Sequence, residues 1–218
     1  MTEICFNSSG GRIEGVYHKS KVLNSPSALI LHPHTEYGGT MNNKVIYSVY
    51  KVFVQNGFNV LRINFRGAGK SQGKFDNGVG ELVDAATALD WLVMHNNESK
   101  GLWVAGFSFG SWIGMQLVMR RPEVKEFITI SPPINNYDFS FLSPCPTHGL
   151  VIQGTNDSVV KESEVVDFVD FLSQQKSVDI EYYSVREADH FFRNKLTDLS
   201  SLVDEYIKKK KNISISSV

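Results

Sequence analysis

Apolar residues recur along this chain with two periods, and the switch between them marks out its elements. Near the N-terminus Ile13, Gly15 and Tyr17 alternate with polar neighbours, so residues 3–7 and 12–19 read as two strands around the Ser8-Ser9-Gly10-Gly11 turn. Ala28-Leu29-Ile30-Leu31 is an unbroken apolar run, the pattern of a strand buried on both faces. After it comes a helical stripe, Val45, Ile46, Val49, Val52 and Phe53, which predicts a helix over residues 41–56 capped by Thr40 and stopped at Gly57. Leu82, Ala85, Leu89 and Leu92 repeat the stripe over 81–95, and Val165, Phe168, Val169 and Leu172 over 161–174. Further helices are read at 111–120 and 195–210, with strands at 58–65, 102–107, 124–130, 149–153 and 179–185. This alternation predicts an α/β protein: a three-layer, doubly wound, mostly parallel sheet of about eight strands, carrying an N-terminal antiparallel hairpin.

Composition narrows the picture. The 218 residues, 42% of them hydrophobic, suit one domain over 1–218, with 211–218 as a polar tail. A formal net charge of −1 provides no general field for nucleic acid or an anionic membrane, so neither is expected as a partner. Lys208 to Lys211 read as the solvated end of a helix. Cys5 and Cys145 are too few for a disulfide framework or a cysteine-based zinc site, and read as idle thiols in a reducing compartment. No targeting segment or membrane-length apolar run is apparent, which points to the cytoplasm. The oligomeric state stays open.

The chemistry gathers where strands end. Gly106-Phe107-Ser108-Phe109-Gly110 lies between an apolar strand and a helix, the setting of a nucleophile elbow, where a sharp turn exposes the serine hydroxyl and only small residues fit at 106 and 110. In open α/β sheets ligands bind beyond the carboxyl ends of the strands, which brings His32, His34, Arg66, Ser108, Asp157 and His190 into one region. A serine needs a base to take its proton, and a histidine base needs an acceptor to fix its tautomer. Asp157 follows a buried strand by a short loop, whereas Asp189 adjoins His190 and has difficulty reaching around to its ring. Two alternatives fall away. Gly67-Ala68-Gly69-Lys70-Ser71 looks like a phosphate loop, but position 64, where its first glycine belongs, is Asn64, and no helix starts at Lys70-Ser71. His32 and His34, at i and i+2, lack a third metal ligand at local spacing.

Over residues 26–207 the chain resembles the α/β-hydrolases, and within them small lidless bacterial hydrolases related to dienelactone hydrolase and serine peptidase-like esterases. The match rests on His32-Pro33-His34, Gly38 to Lys44, Asn64-Phe65-Arg66-Gly67 with Gly69 and Ser71, the elbow, Gly154 with Asp157, and Asp189-His190-Phe191. The resemblance implies a catalytic triad of Ser108, Asp157 and His190, and an oxyanion hole formed by the backbone N–H groups of His34 and Phe109. It also implies an acyl-enzyme route requiring no cofactor and no metal, with a small-molecule ester, thioester or amide as substrate. Residues 131–149 leave no room for a helical cap. Tyr37, Tyr137, Phe139, Phe141, Phe191 and Phe192 either line an apolar rim or pack as core under a loop. A serine peptidase acting on short peptides, and a non-catalytic binding protein on the same scaffold, are the other readings.

Overall fold

The computed structural model describes residues 1–175 and 178–216. Its elements follow the order β1 (Thr2–Ser8), β2 (Gly11–His18), β3 (Ser27–Leu31), α1 (Lys44–Gln55), β4 (Asn59–Ile63), α2 (Val79–Met94), β5 (Leu102–Phe107), α3 (Phe109–Val118), β6 (Val124–Ile130), β7 (His148–Gly154), α4 (Glu162–Ser173), β8 (Ile180–Val185) and α5 (Leu196–Ser216). The strands form one eight-stranded sheet in the order β1-β2-β4-β3-β5-β6-β7-β8. The β1–β2 and β2–β4 pairs are antiparallel and every other pair is parallel. The α/β expectation and the N-terminal hairpin both hold.

Burial on two faces explains the apolar strand runs. In β3, Leu29 and Leu31 join one core while Ala28 and Ile30 join the other. The first core takes the inward stripes of α2, α3 and α4, and the second those of α1 and α5, so the sheet is the middle of three layers. Register then places the site. Leu31 pairs with Gly106, Phe107 with Ile130, and Gly154 with Val185, so β3, β5, β6, β7 and β8 release their loops along one carboxyl edge.

Several boundaries differ from the sequence reading for local reasons. Helix α1 starts at Lys44 rather than residue 41, and Asn43 rather than Thr40 caps it by accepting from the Val45 N–H at 2.9 Å. The intervening residues are spent on a turn in which the Asn43 N–H donates to the Thr40 carbonyl at 2.9 Å. Helix α5 runs through Lys211 to Ser216, so most of the expected polar tail is helical, and residues 217–218 lie outside the described residues. The lysine run is a solvated end only in part, since Lys208 and Lys209 are exposed. Lys210 is only 8% exposed and its Nζ lies 3.0 Å from Asp179 and 3.7 Å from Glu181, both at the start of β8. Lys209 pairs with Glu181 at 3.0 Å. Lys209 and Lys210 thus form an ion-pair seam between α5 and β8, which sequence spacing alone does not reveal because the partners come from another element, whereas Lys208 pairs with Asp204 on its own helix.

Arg66 also finds a structural role. Its Nε and Nη2 donate to the two oxygens of Asp84, each at 2.9 Å, and Asp84 additionally accepts from the Arg66 N–H and the Ser8 hydroxyl. The pair ties α2 to the end of β4 and to the β1–β2 turn, with both side chains almost fully buried. A Cβ at Gly80 would run into the guanidinium. The loop after it is held in the same way: the Ser71 hydroxyl donates to the Asn64 carbonyl and accepts from the Glu14 N–H. Residues 66–73 are therefore a brace between hairpin and sheet, and α2 begins well beyond them.

Candidate active site

Ser108 joins β5 to α3 with φ 52° and ψ −122°, a conformation that costs a non-glycine residue about 1–3 kcal/mol. The fold holds it there by close approach. A Cβ at Gly106 would run into the Gly110 carbonyl, and one at Gly110 into the carbonyls of Leu31 and His32. The Ser108 N–H donates to the Ile130 carbonyl at 2.8 Å, while its own carbonyl accepts from Ser111. Helix α3 starts at Phe109, two residues earlier than periodicity suggested, because the elbow turns directly into it.

The hydroxyl so presented meets His190 and Asp157. Ser108 Oγ lies 3.1 Å from His190 Nε2, and His190 Nδ1 lies 2.8 Å from Asp157 Oδ2. Asp157 Oδ1 accepts from the N–H groups of Val159 and Val160 at 2.8 and 2.9 Å. Gln153, inside β7, donates its Nε2 to Oδ2 at 3.0 Å, a fourth contact with no signature in the sequence. Burial pushes the Asp157 carboxyl up, but the bonds from His190, Val160 and Val159 outweigh it and hold the group below the ordinary aspartate range. The carboxylate is thus ionised and fixed at both oxygens. Asp189 is committed elsewhere, accepting from the Arg193 N–H at 2.8 Å.

Ser108 and His190 open into a cavity of about 300 Å³ walled by Tyr37, Phe109, Tyr137 and Phe191, with Pro33, Pro133 and Val159 between them. No Lys, Arg, Asp or Glu lines it. The backbone N–H groups of His34 and Phe109 have no acceptor among the described residues. The His34 ring packs on Tyr37, Phe75 and Phe109, and its Nδ1 accepts from the Glu36 N–H.

The residues 16–143, more than half of the chain, match the family described as X-Pro dipeptidyl-peptidase (S15). The chain belongs to that family. Its S15-family fold is shared with solved α/β-hydrolase structures. A protein of unknown function from Agrobacterium tumefaciens, assigned to the α/β hydrolases, is 49% identical and superposes with a TM-score of 0.94, covering 97% of each chain. An α/β serine hydrolase without a lid from Xanthomonas campestris is 30% identical, with a TM-score of 0.86 over 95% of this chain and 94% of its own. An uncharacterized protein of Rickettsia prowazekii (strain Madrid E) is 56% identical over 211 residues, 95% of this chain and 89% of its own length. This S15-family member is accordingly an α/β serine hydrolase by fold and family. The family match ends before Asp157 and His190, so their place beside Ser108 rests on the geometry above.

Not every residue marked in the sequence reaches the cavity. Tyr37, Tyr137 and Phe191 line it, and Tyr37 is 88% exposed at its mouth. Phe139 does not: it is buried against Phe168 of α4, with Phe141 stacked beside it, so these two are core aromatics under the 131–149 loop. Phe192 is fully buried in the opposite core. Alternation along the chain sends Phe191 outward and Phe192 inward, whereas nothing local distinguished Tyr137 from Phe139. Asn43, Asn136 and Val159 line the cavity without having been singled out, because each comes from a different loop.

His32 is a structural histidine. It is completely buried, its Nδ1 lies 2.6 Å from the Pro33 carbonyl, and its Nε2 accepts from the Phe65 N–H at 2.9 Å. The two histidines do not form a metal pair, because β3 ends at Leu31 and His34 turns into the cavity. Burial lowers the His32 imidazole to about 4. The folded protein therefore binds this proton less readily than the unfolded chain, so stability falls as pH drops below 6.5 and goes on falling towards 4. Between pH 7 and 5 this residue is expected to cost about 2 kcal/mol of unfolding free energy. Urea titrations should show a shallower pH dependence in His32→Gln, whose amide oxygen still accepts from Phe65 without titrating. An unchanged slope would contradict the assignment.

Proposed function

We propose that this S15-family hydrolase cleaves small or medium soluble esters through an acyl-enzyme on Ser108. The observation that carries the reading is the hydrogen-bonded line from Ser108 through His190 to Asp157, opening on a cavity with no ionic side chains. Ser108 Oγ attacks the ester carbonyl while His190 Nε2 takes its proton, and the Asp157 carboxylate stabilises the imidazolium through Nδ1. The negative charge on the former carbonyl oxygen is received by the N–H groups of His34 and Phe109, which are backbone donors already in place. Collapse of the tetrahedral intermediate breaks the C–O bond, and His190 returns the proton to the departing alcohol. Water, deprotonated by His190, then attacks the acyl carbon and frees Ser108. Thioesters and amides present the same carbonyl and extend the proposal. Every step is assigned to groups of this chain, and a cytoplasmic setting, with Cys5 and Cys145 as free thiols, belongs to the same reading.

A serine peptidase acting on short peptides is the second reading, favoured by the family's description. A dipeptidyl-peptidase has to hold a free α-amine, whose natural partner is a carboxylate, and the cavity wall carries none. A non-catalytic binding protein has no use for a serine strained to positive φ beside an oriented histidine.

The cavity is at the small end of ligand pockets, which limits the acyl group. With p-nitrophenyl esters of graded length, kcat/KM is expected to fall by roughly tenfold or more from butyrate to laurate, as methylenes outgrow the pocket. X-Pro p-nitroanilides are expected to release no product. Rates that climb steadily to laurate, or anilide cleavage matching that of butyrate, would overturn the choice of substrate.

A further inference from the structure

Behind Phe191 the surface holds a second groove, of about 700 Å³, that shares Asn43 and Phe191 with the Ser108 cavity. The two differ in charge. The Ser108 cavity has no ionic lining, whereas the second groove is lined by Lys44 and Arg193 and by no acid.

The two cations differ in how they are held. Lys44 makes no ion pair among the described residues, although it opens α1, where the helix dipole disfavours a cation and the first turn has no acid to offset it. Arg193 lies over the Phe191 ring, 5.5 Å from its centroid, and its Nη1 is 3.4 Å from Asp189. A guanidinium has five N–H donors, so that single contact leaves most of its fork open to solvent and ligand. Asp189 thus balances Arg193 only in part, and no ion pair among the described residues balances Lys44. Asn43 stands between the compartments. Its Oδ1 is engaged by the Val45 N–H, which turns its amide nitrogen into a donor at the junction.

We propose that this groove is an anion subsite, and that the substrates preferred by the Ser108 centre are esters carrying a carboxylate several bonds from the scissile carbonyl. The proposal rests on the serine-hydrolase reading. The apolar part of the substrate occupies the cavity between Tyr137 and Phe191, and its carboxylate passes Asn43 to reach Lys44 and the Arg193 fork. The sites are exposed, so the attraction is screened by salt and acts on capture of the substrate more than on the chemical step.

The test uses the full chain and two substrate pairs, so that the anion is tried on either side of the ester. Mono-p-nitrophenyl glutarate is compared with p-nitrophenyl valerate, and 4-acetoxybenzoate with 4-acetoxybenzamide. In at least one pair, the kcat/KM ratio of anionic to neutral ester is expected to fall at least tenfold in the Lys44→Gln/Arg193→Gln double variant. It should be retained within threefold in Lys44→Arg/Arg193→Lys, which keeps both charges. In the unmodified protein the same ratio should fall severalfold between 0.05 and 0.5 M NaCl. Ratios in both pairs that ignore the double substitution and the salt, with neutral esters still hydrolysed, would overturn the subsite alone. Failure of the unmodified protein to hydrolyse any neutral ester would overturn the hydrolase reading and the subsite with it.

Discussion

Alanine at position 108 is expected to lower kcat for p-nitrophenyl butyrate by roughly 10⁵- to 10⁶-fold, the scale seen when a triad nucleophile is removed. The loss is this large because, in the proposed mechanism, Ser108, His190 and Asp157 act as a unit. Without the hydroxyl, His190 Nε2 loses its partner at 3.1 Å and has no nucleophile to deprotonate. What remains is the polarisation supplied by the two N–H donors and the binding cavity, worth roughly 10³-fold over water. The fold should hardly notice. Alanine keeps the Cβ, so the strain at φ 52° persists and unfolding free energy should change by under about 0.5 kcal/mol. Glycine at 108 removes both hydroxyl and strain, and is expected to raise stability by about 1 kcal/mol while being equally inactive. Stopped assays on enzyme freed of wild-type carry-over measure the first effect, and urea titration the second. A loss in kcat of less than a hundredfold would mean that Ser108 is not the nucleophile.

The largest stability effect is expected at Asp84, far from the hydroxyl. Asp84→Ala leaves the Arg66 guanidinium, 8% exposed, with only the half-exposed Asp76, 3.6 Å away, to balance its charge, and should cost about 3 kcal/mol. It also releases the Arg66 N–H and the Ser8 hydroxyl from their acceptor, loosening the β1–β2 turn together with the end of β4. The paired replacement Arg66→Met with Asp84→Leu removes both charges and should be less damaging than the single change, because desolvating an ion pair offsets much of its attraction. Urea unfolding of the three proteins settles the comparison. A single variant as stable as the starting protein would show that the pair contributes nothing, and a double variant worse than the single would show that its hydrogen bonds outweigh its desolvation.

The fold and the site were not equally legible in the sequence, and the reason is the range over which each feature is encoded. Unbroken apolar runs such as 28–31 and 102–107 announce strands buried twice over, and the three-layer sheet follows from their alternation with helical stripes. The elbow is local too, since Gly106 and Gly110 are required by carbonyls within the same turn and the neighbouring strand. The order of Ser108, Asp157 and His190 was readable because each residue follows a strand that ends on the same edge. Features assembled from distant segments were not readable. The pairing of Arg66 with Asp84, the burial of Lys210 and the sorting of Tyr137 from Phe139 all depend on which helix packs where, while the contact of Gln153 with Asp157, four residues on, depends on how the loop after β7 turns back. The start of α1 was misplaced for a smaller reason. Thr40 and Asn43 are both able caps, and the turn at 40–43 decides for Asn43.

An activated nucleophile at Ser108 is detected by covalent labelling. The folded protein would be incubated with a fluorophosphonate and the adduct located by peptide mass spectrometry, alongside His190→Ala. Stoichiometric modification of Ser108 alone is expected, with a labelling rate that drops at least a hundredfold in the variant. Unmodified Ser108 in the starting protein, or labelling of Ser108 at the same rate without His190, would contradict it.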